Sequence, residues 1–309
     1  MDRNSYTRRE IMSLVAAGVV AGQLPQPARS ADNVRMSTRR VPGTEEALPV
    51  VGMGSSNTFD VGSSDAEREP LREVLRLFAQ AGGRVIDTSP MYGRSEEVLG
   101  DLFAELDLRP RIWLATKVWT RGRDAGVKQI ADSMRKLRTE RLELLQIHNL
   151  LDWREHLPTL RSMQDGGKLR YAGITHYRAD AHAEVERVLR AERFDWVQIN
   201  YSLAEREAER SLFPYAMERG IAVMANRPFA DGALFDRTRG KELPPWAAEI
   251  GCASWAQFFL RFAASHPAVT CVIPATAKPR HMQDNAAAGG VPLPDAGQRA
   301  RMAEYFATL

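Results

Sequence analysis

From about residue 50 onward, the chain alternates two kinds of segment. Short, nearly continuous apolar runs cover 50–53, 84–87, 112–117, 142–148, 171–175, 196–201, 222–225 and 271–273. Runs this short, with no polar alternation, fit strands buried on both faces. Between them lie 66–81, 96–106, 127–137, a stretch from about 156, 181–191, 208–219, 255–264 and 279–288, all with helical spacing. In the first of these, Leu71, Val74, Leu75 and Phe78 fall at i, i+3, i+4 and i+7, one face of a helix. Eight strand–helix units in about 240 residues predict a parallel α/β fold, and the count of eight predicts a single-domain (β/α)8 TIM barrel. The alternative is an open doubly wound sheet. Its first turn should read Gly-x-Gly-x-x-Gly, which Gly52-Met53-Gly54-Ser55-Ser56-Asn57 does not. Two segments depart from the alternation. Residues 229–252 are rich in Gly, Pro and charge and predict a lid or binding loop, and 295–307 predict an added C-terminal helix.

Composition narrows the function classes. The 309 residues are 44% hydrophobic and 26% charged, which excludes a disordered, collagen-like or polytopic membrane chain. The net charge of +3, from 42 basic and 39 acidic residues, gives no reason to expect nucleic acid, and no basic stripe interleaves with aromatics. Much of that excess is local. Within residues 1–30, Arg3, Arg8, Arg9 and Arg29 face only Asp2 and Glu10, a surplus of +2 that leaves +1 for the rest. The same segment has paired arginines, a charge-free run over 11–22 too short to span a bilayer, and a small-residue exit, Ala28-Arg29-Ser30-Ala31. Residues 1–30 are therefore expected to be a twin-arginine-type export signal cleaved after Ser30, with residues 31–309 as the barrel domain. The destination is then the periplasm or another exported location, or the cytoplasm if the signal is vestigial. A monomer is the default. The two cysteines, Cys252 and Cys271, lack metal-ligand spacing; Cys271 reads as a buried apolar residue, and a disulfide between them stays open.

In a parallel barrel, chemistry collects where the strands end. The second run ends in Asp87-Thr88, followed by Tyr92; the third ends at Lys117 and the fourth at His148. A Tyr hydroxyl is a poor acid at neutral pH, with an unperturbed pKa near 10, and a neighbouring ammonium favours its ionised form. A carboxylate holds that ammonium in place, and an imidazole orients a carbonyl oxygen. This group can deliver a proton to a carbonyl but carries no hydride, so a reduced cofactor is needed.

These residues also carry a resemblance. Asp87-Thr88-Ser89-Pro90-Met91-Tyr92-Gly93 with Glu96 resembles the Asp-Thr-Ala-x-x-Tyr-Gly signature of the aldo-keto reductases. Ala115-Thr116-Lys117, Leu144-Leu145-Gln146-Ile147-His148 and the segment from Ile273-Pro274-Ala275-Thr276 through Asn285 are similar to that family's Lys strand, His strand and C-terminal cofactor segment. The resemblance covers about 48–288. It implies a (β/α)8 barrel that reduces aldehydes and ketones with NADPH, less often NADH. It further implies Tyr92 as general acid, Lys117 as its activating partner, Asp87 as the partner of Lys117 and His148 as the carbonyl-orienting group.

The cofactor residues follow from the same resemblance. Gly54-Ser55 and Asp87 match the first contacts. Thr175-His176 stand where Ser-Asn usually holds the nicotinamide carboxamide, and Gln198 matches its Gln. Asn226-Arg227-Pro228-Phe229 replaces a common Tyr-Ser-Pro-Leu, so the usual stacking aromatic is missing and the planar Arg227 is its expected substitute. In the adenosine-phosphate segment, Ala275 and His281 stand where Lys and Arg are usual. Thr276, Lys278 and His281, with Arg280 nearby, are expected to meet a 2′-phosphate, which favours NADP(H) over NAD(H). Asn149 replaces an aromatic residue beside the substrate.

The remaining singled-out residues have plainer expectations. His156, His182 and His266 are read as surface or cap histidines. Trp113, Trp196 and Trp255 are expected between barrel and helices, Trp119 and Trp153 are candidates for the mouth, and Arg206-Glu207 and Glu209-Arg210 for a solvated helix start. Two functions fit: a carbonyl reductase acting on a small molecule, or a nucleotide-binding redox sensor with little turnover. Cofactor release and multiple turnover separate them.

Overall fold

The computed structural model describes residues 36–290 and 292–309; the export segment expected over 1–30 lies outside the described residues. An antiparallel hairpin comes first, β1 (Thr38–Arg40) and β2 (Ala47–Pro49), with Arg39 opposite Leu48. Eight parallel strands follow: β3 (Met53–Gly54), β4 (Val85–Asp87), β5 (Trp113–Val118), β6 (Leu142–His148), β7 (Leu169–Thr175), β8 (Trp196–Asn200), β9 (Ala222–Asn226) and β10 (Val269–Val272). Each pairs with the next, and parallel bridges Val51↔Val272 and Gly54↔Ala275 join the last to the first, so the sheet closes into the expected barrel.

The helices alternate with the strands: α1 (Asp65–Gln80), α2 (Ser95–Glu105), α3 (Arg123–Lys136), α4 (Trp153–Asp165), α5 (His182–Ala191), α6 (Leu212–Arg219), α7 (Ala233–Arg237), α8 (Trp255–Ser265) and α9 (Pro279–Ala287). The expected C-terminal helix is α10 (Ala296–Ala307), opened by a capping box in which Asp295 and Gln298 bond each other's backbone N–H. The expected lid, 229–252, is folded into α7 and short 3-10 turns at Ala230–Gly232 and Pro245–Ile250. No helix among the described residues is long and apolar enough to cross a membrane.

Strand side chains alternate between two separate cores, as the period of two requires. Ile86, Leu114, Leu145, Ile147, Ile174, Val197 and Val223 face outward into the helix layer. Val85, Trp113, Leu144, Tyr171, Trp196, Met224 and Cys271 face inward. Trp113 and Trp196 thus fill the barrel interior instead of packing between barrel and helices, because each opens its strand at an inward position; their rings lie 5.1 Å apart. Trp255 does pack among the helices, against Phe258, Phe259 and Tyr305.

Val41 and Leu48 of the hairpin join the inner core, closing the barrel at the N-terminal ends of its strands. The hairpin has no apolar run: β1 reads Thr-Arg-Arg, and the buried apolar residues are Val41 in the turn and Leu48 and Pro49 of β2. Glu46 in its turn accepts hydrogen bonds from the Tyr171 hydroxyl (3.0 Å) and Arg170 (2.9 Å).

Two further expectations are corrected. His156 and His182 are buried, bonded to the Thr120 carbonyl and to Asn200 Oδ1, each at 2.8 Å, whereas His266 is a cap as expected, ending α8 half-buried against Phe213 and Tyr201. Glu209 is no solvated helix start: it closes a 3-10 turn and bonds Tyr201, Arg206 and Arg299, tying α10 to the barrel. Cys252 and Cys271 are both free and buried.

Candidate active site

Strand register brings the chemistry-bearing residues to one end of the barrel. Asp87 is opposite Gly54 and Ala115, Lys117 is opposite Gln146, and His148 is opposite Thr175, which is opposite Gln198. Inward positions two residues apart fill successive layers, so the tryptophan floor gives way to polar residues toward the C-terminal end.

Lys117 Nζ lies 2.6 Å from Asp87 Oδ2 and 2.8 Å from the Thr88 carbonyl, with its side chain wholly buried. It stands 5.0 Å from the centre of the Tyr92 ring. Burial opposes the Lys117 charge, but Asp87 and Tyr92 together outweigh it and raise the ammonium above its ordinary pKa. Burial also raises the Tyr92 phenol above its ordinary value, while Lys117 pulls it back. The net direction is upward, so the Tyr92 phenol is neutral at physiological pH. Burial, reinforced by Lys117, lowers His148 to about 3, so its imidazole is neutral. Its Nδ1 lies 3.4 Å from Ser89 Oγ, and its ring stands 6.3 Å from those of both Tyr92 and Trp119.

The other Asp87 oxygen is held by two amides. Gln146 Nε2 donates to Oδ1 at 3.0 Å and Gln198 Nε2 at 2.9 Å. Gln198 Oε1 in turn accepts from Thr175 Oγ1 (3.2 Å) and Asn226 Nδ2 (3.3 Å). With Lys117, one network therefore joins six strands, β4 to β9.

A cavity of roughly 630 Å³ opens above this network. Of the sequence-predicted residues, Gly54, Ser55, Asp87, Tyr92, His148, Thr175, Gln198, Asn226, Arg227, Pro228, Phe229, Ile273, Pro274 and Ala275 line it. Lys117 lies beneath Asp87. Thr276, Lys278, His281 and Asn285 do not line it; they continue from β10 into the start of α9, where Lys278 and His281 are exposed and Thr276 and Asn285 buried. His176 points away, its Nδ1 accepting from the Arg178 N–H and its ring stacked on Tyr177. Arg227 is engaged by its neighbours, donating to the Tyr177 carbonyl (2.9 Å) and to Asp231 (3.1 Å), so its plane is fixed within the loop. Trp119 lines the mouth; Trp153 packs on the outer core instead.

Sequence reasoning missed Gln146, Tyr177, Met91 and Phe235. The inward parity of β6, counted back two residues from His148, identifies Gln146. Met91 and Tyr177 lie on loops and Phe235 in the five-residue helix α7, where no periodicity marks a lining residue.

The residues present fit a nucleotide cofactor. Ser55 Oγ and Asn226 Oδ1 are buried without a hydrogen-bond partner on residues lining the cavity, and such groups are costly unless a ligand or water meets them. At Gly54, a Cβ would stand 3.0 Å from the Ile273 carbonyl, so the wall is built from small residues in close contact.

The chain is similar to known proteins in sequence and in fold. The methylglyoxal reductase YeaE of Escherichia coli is 29% identical over 257 residues, 81% of this chain and 88% of that protein. The aldo-keto reductase YhdN of Bacillus subtilis is 28% identical over 177 residues, 52% of this chain and 53% of that one. Two crystal structures of aldo-keto reductases from Klebsiella pneumoniae superpose on the fold. One, in complex with NADP and acetate, has 27% identity and a TM-score of 0.71, covering 86% of this chain and 94% of that one. The other, in complex with NADPH, has 26% identity and a TM-score of 0.72, covering 88% and 96%. Residues 50–301 match the aldo/keto reductase family, and the chain belongs to it.

Proposed function

We propose that the protein reduces an aldehyde or ketone to an alcohol, with NADP(H) as the preferred cofactor and NAD(H) as a weaker one. The observation that carries this reading is the buried Lys117–Asp87 pair beneath the Tyr92 ring. The NADP and NADPH bound in the Klebsiella relatives support the choice of cofactor.

Tyr92 donates its hydroxyl proton to the carbonyl oxygen, and the Lys117 ammonium stabilises the phenolate left behind. Asp87 holds Lys117 charged and in place. In the tautomer with its proton on Nε2, the neutral His148 accepts from Ser89 at Nδ1 and orients the carbonyl by a hydrogen bond. When bound, the cofactor supplies hydride to the carbonyl carbon. Gly54, Ser55, Thr175, Gln198 and Asn226 hold its reactive end, and 227–229 and 273–275 form its walls. Thr276, Lys278 and His281, beside Asn285, meet the phosphate end, where the N-terminus of α9 favours negative charge.

The test is loss of NADPH absorbance with a nitrobenzaldehyde as substrate. Repeated turnover is expected, and Tyr92→Phe is expected to slow it by about 10²–10⁴-fold. A Tyr92→Phe protein as fast as the wild type contradicts the assignment.

Residues 1–30 are proposed as an export segment of twin-arginine type, preceding a barrel domain over 31–309 that acts as a monomer. Folded, cofactor-loaded protein can use that route. Cell fractionation tests it: the wild type is expected outside the cytoplasm, and Arg8→Lys with Arg9→Lys is expected to retain it inside.

A further inference from the structure

We propose that Gln146 is a positioning residue for the proton-donating group, fixing the Asp87 carboxylate so that its other oxygen holds Lys117 against Tyr92. This rests on the reading that Tyr92 donates the proton.

Gln146 is wholly buried inside the barrel, on the inward face of β6 directly opposite Lys117. A buried amide is costly unless its donors and acceptor are matched. Its Nε2 donates to Asp87 Oδ1 at 3.0 Å, and its Oε1 accepts from Gln198 Nε2 at 3.2 Å. With Gln198 also donating to that oxygen and Lys117 donating to Oδ2, the carboxylate is held from both sides and cannot turn away from the ammonium.

The next strand makes room for this amide. The residue opposite Gln146 on β7 is Gly173, where a Cβ would stand 3.2 Å from Gln146 Cγ and 3.0 Å from the Trp196 carbonyl. The barrel thus combines an inward glycine with an inward amide at the level of the ion pair. An apolar side chain at 146 would fill the same space but leave half of the Asp87 charge less compensated. That charge raises the Tyr92 phenol, so losing the amide moves the phenol further upward.

The test compares Gln146→Met, which keeps length and loses both hydrogen bonds, with the wild type in NADPH-dependent aldehyde reduction. The expected result is a kcat reduced by about tenfold, a KM within about twofold and an alkaline limb of the pH profile displaced upward. A second readout uses the cofactor-free protein. The Tyr92 titration, taken as the ultraviolet difference from the matching Tyr92→Phe variant, is expected to move upward too. Gly173→Ala, which presses on Gln146 without removing it, should shift both readouts in the same direction and serves where Gln146→Met does not fold. A kcat within twofold of wild type, or a reduced kcat with both titrations unmoved, overturns the proposal. Tyr92→Phe separates the two levels: if it stays active, the reading of the site fails; if it is inactive while Gln146→Met behaves as wild type, only the role of Gln146 fails.

Discussion

The Lys117 ammonium and the Asp87 carboxylate stand 2.6 Å apart with side chains almost fully removed from solvent. Breaking a buried pair leaves an uncompensated charge, which typically costs about 3–5 kcal/mol. Lys117→Met strands the Asp87 carboxylate and also removes the charge that stabilises ionised Tyr92. It is expected to lose about that much stability in denaturant titration and to fall far below wild type in kcat. Asp87→Asn leaves Lys117 with the Thr88 carbonyl as its remaining close partner and should show both losses in smaller measure. Retention of full stability by Lys117→Met would show that the pair is not held as described.

Acid sensitivity follows from the histidines. Burial lowers His148 to about 3 and His266 to about 4, against an unfolded value near 6.5. Between these values the unfolded chain binds more protons than the folded one, so stability is full above pH about 6.5 and falls as the pH drops toward the folded values. His148 contributes a slope of up to about 1.4 kcal/mol per pH unit in that window. Denaturation midpoints measured from pH 7 to pH 4 should decline, and His148→Asn should flatten the decline. Equal slopes in the two proteins count against a buried neutral His148. For the same reason, His148 should contribute no limb to the activity profile near pH 6.5.

A steric prediction concerns the helix layer. At Gly100 in α2, a Cβ would collide with the backbone carbonyl of Lys136 at the end of α3. Backbone must move to admit even one methyl group. Gly100→Ala is expected to destabilise by about 1–3 kcal/mol or more. Because the contact is outside the barrel and away from the cavity, kcat of the folded fraction should stay near wild type.

How much of this was legible in the sequence depends on periodicity. The barrel was, because eight apolar runs and helical stretches repeat without interruption, and the strand-end residues Asp87, Lys117 and His148 follow from where those runs stop. The hairpin was not, because it is anchored by two apolar residues, Val41 and Leu48, too few to form a pattern. The facing of Trp113 and Trp196 was misread because both sides of a barrel strand are apolar; only parity with Lys117 and Gln198 on the same strands distinguishes them. His156 and His182 were misread because their burial depends on the Thr120 carbonyl and Asn200, partners set by tertiary packing.

That inner floor allows a comparison between its two indoles. Trp113 Nε1 lies 3.4 Å from Glu46, whereas Trp196 Nε1 is buried with no partner. Replacing either by Phe removes ring volume and leaves a gap in the same core. Trp113→Phe also removes a donor from Glu46, while Trp196→Phe removes a donor that was already unsatisfied, whose burial costs about 1–3 kcal/mol. Trp196→Phe should therefore destabilise the protein less than Trp113→Phe, by about 1 kcal/mol or more in paired denaturant titrations. Both variants should keep kcat near wild type, since neither indole lines the cavity or bonds the Asp87 network. A larger loss at Trp196 would mean that ring packing, not the N–H, governs the floor.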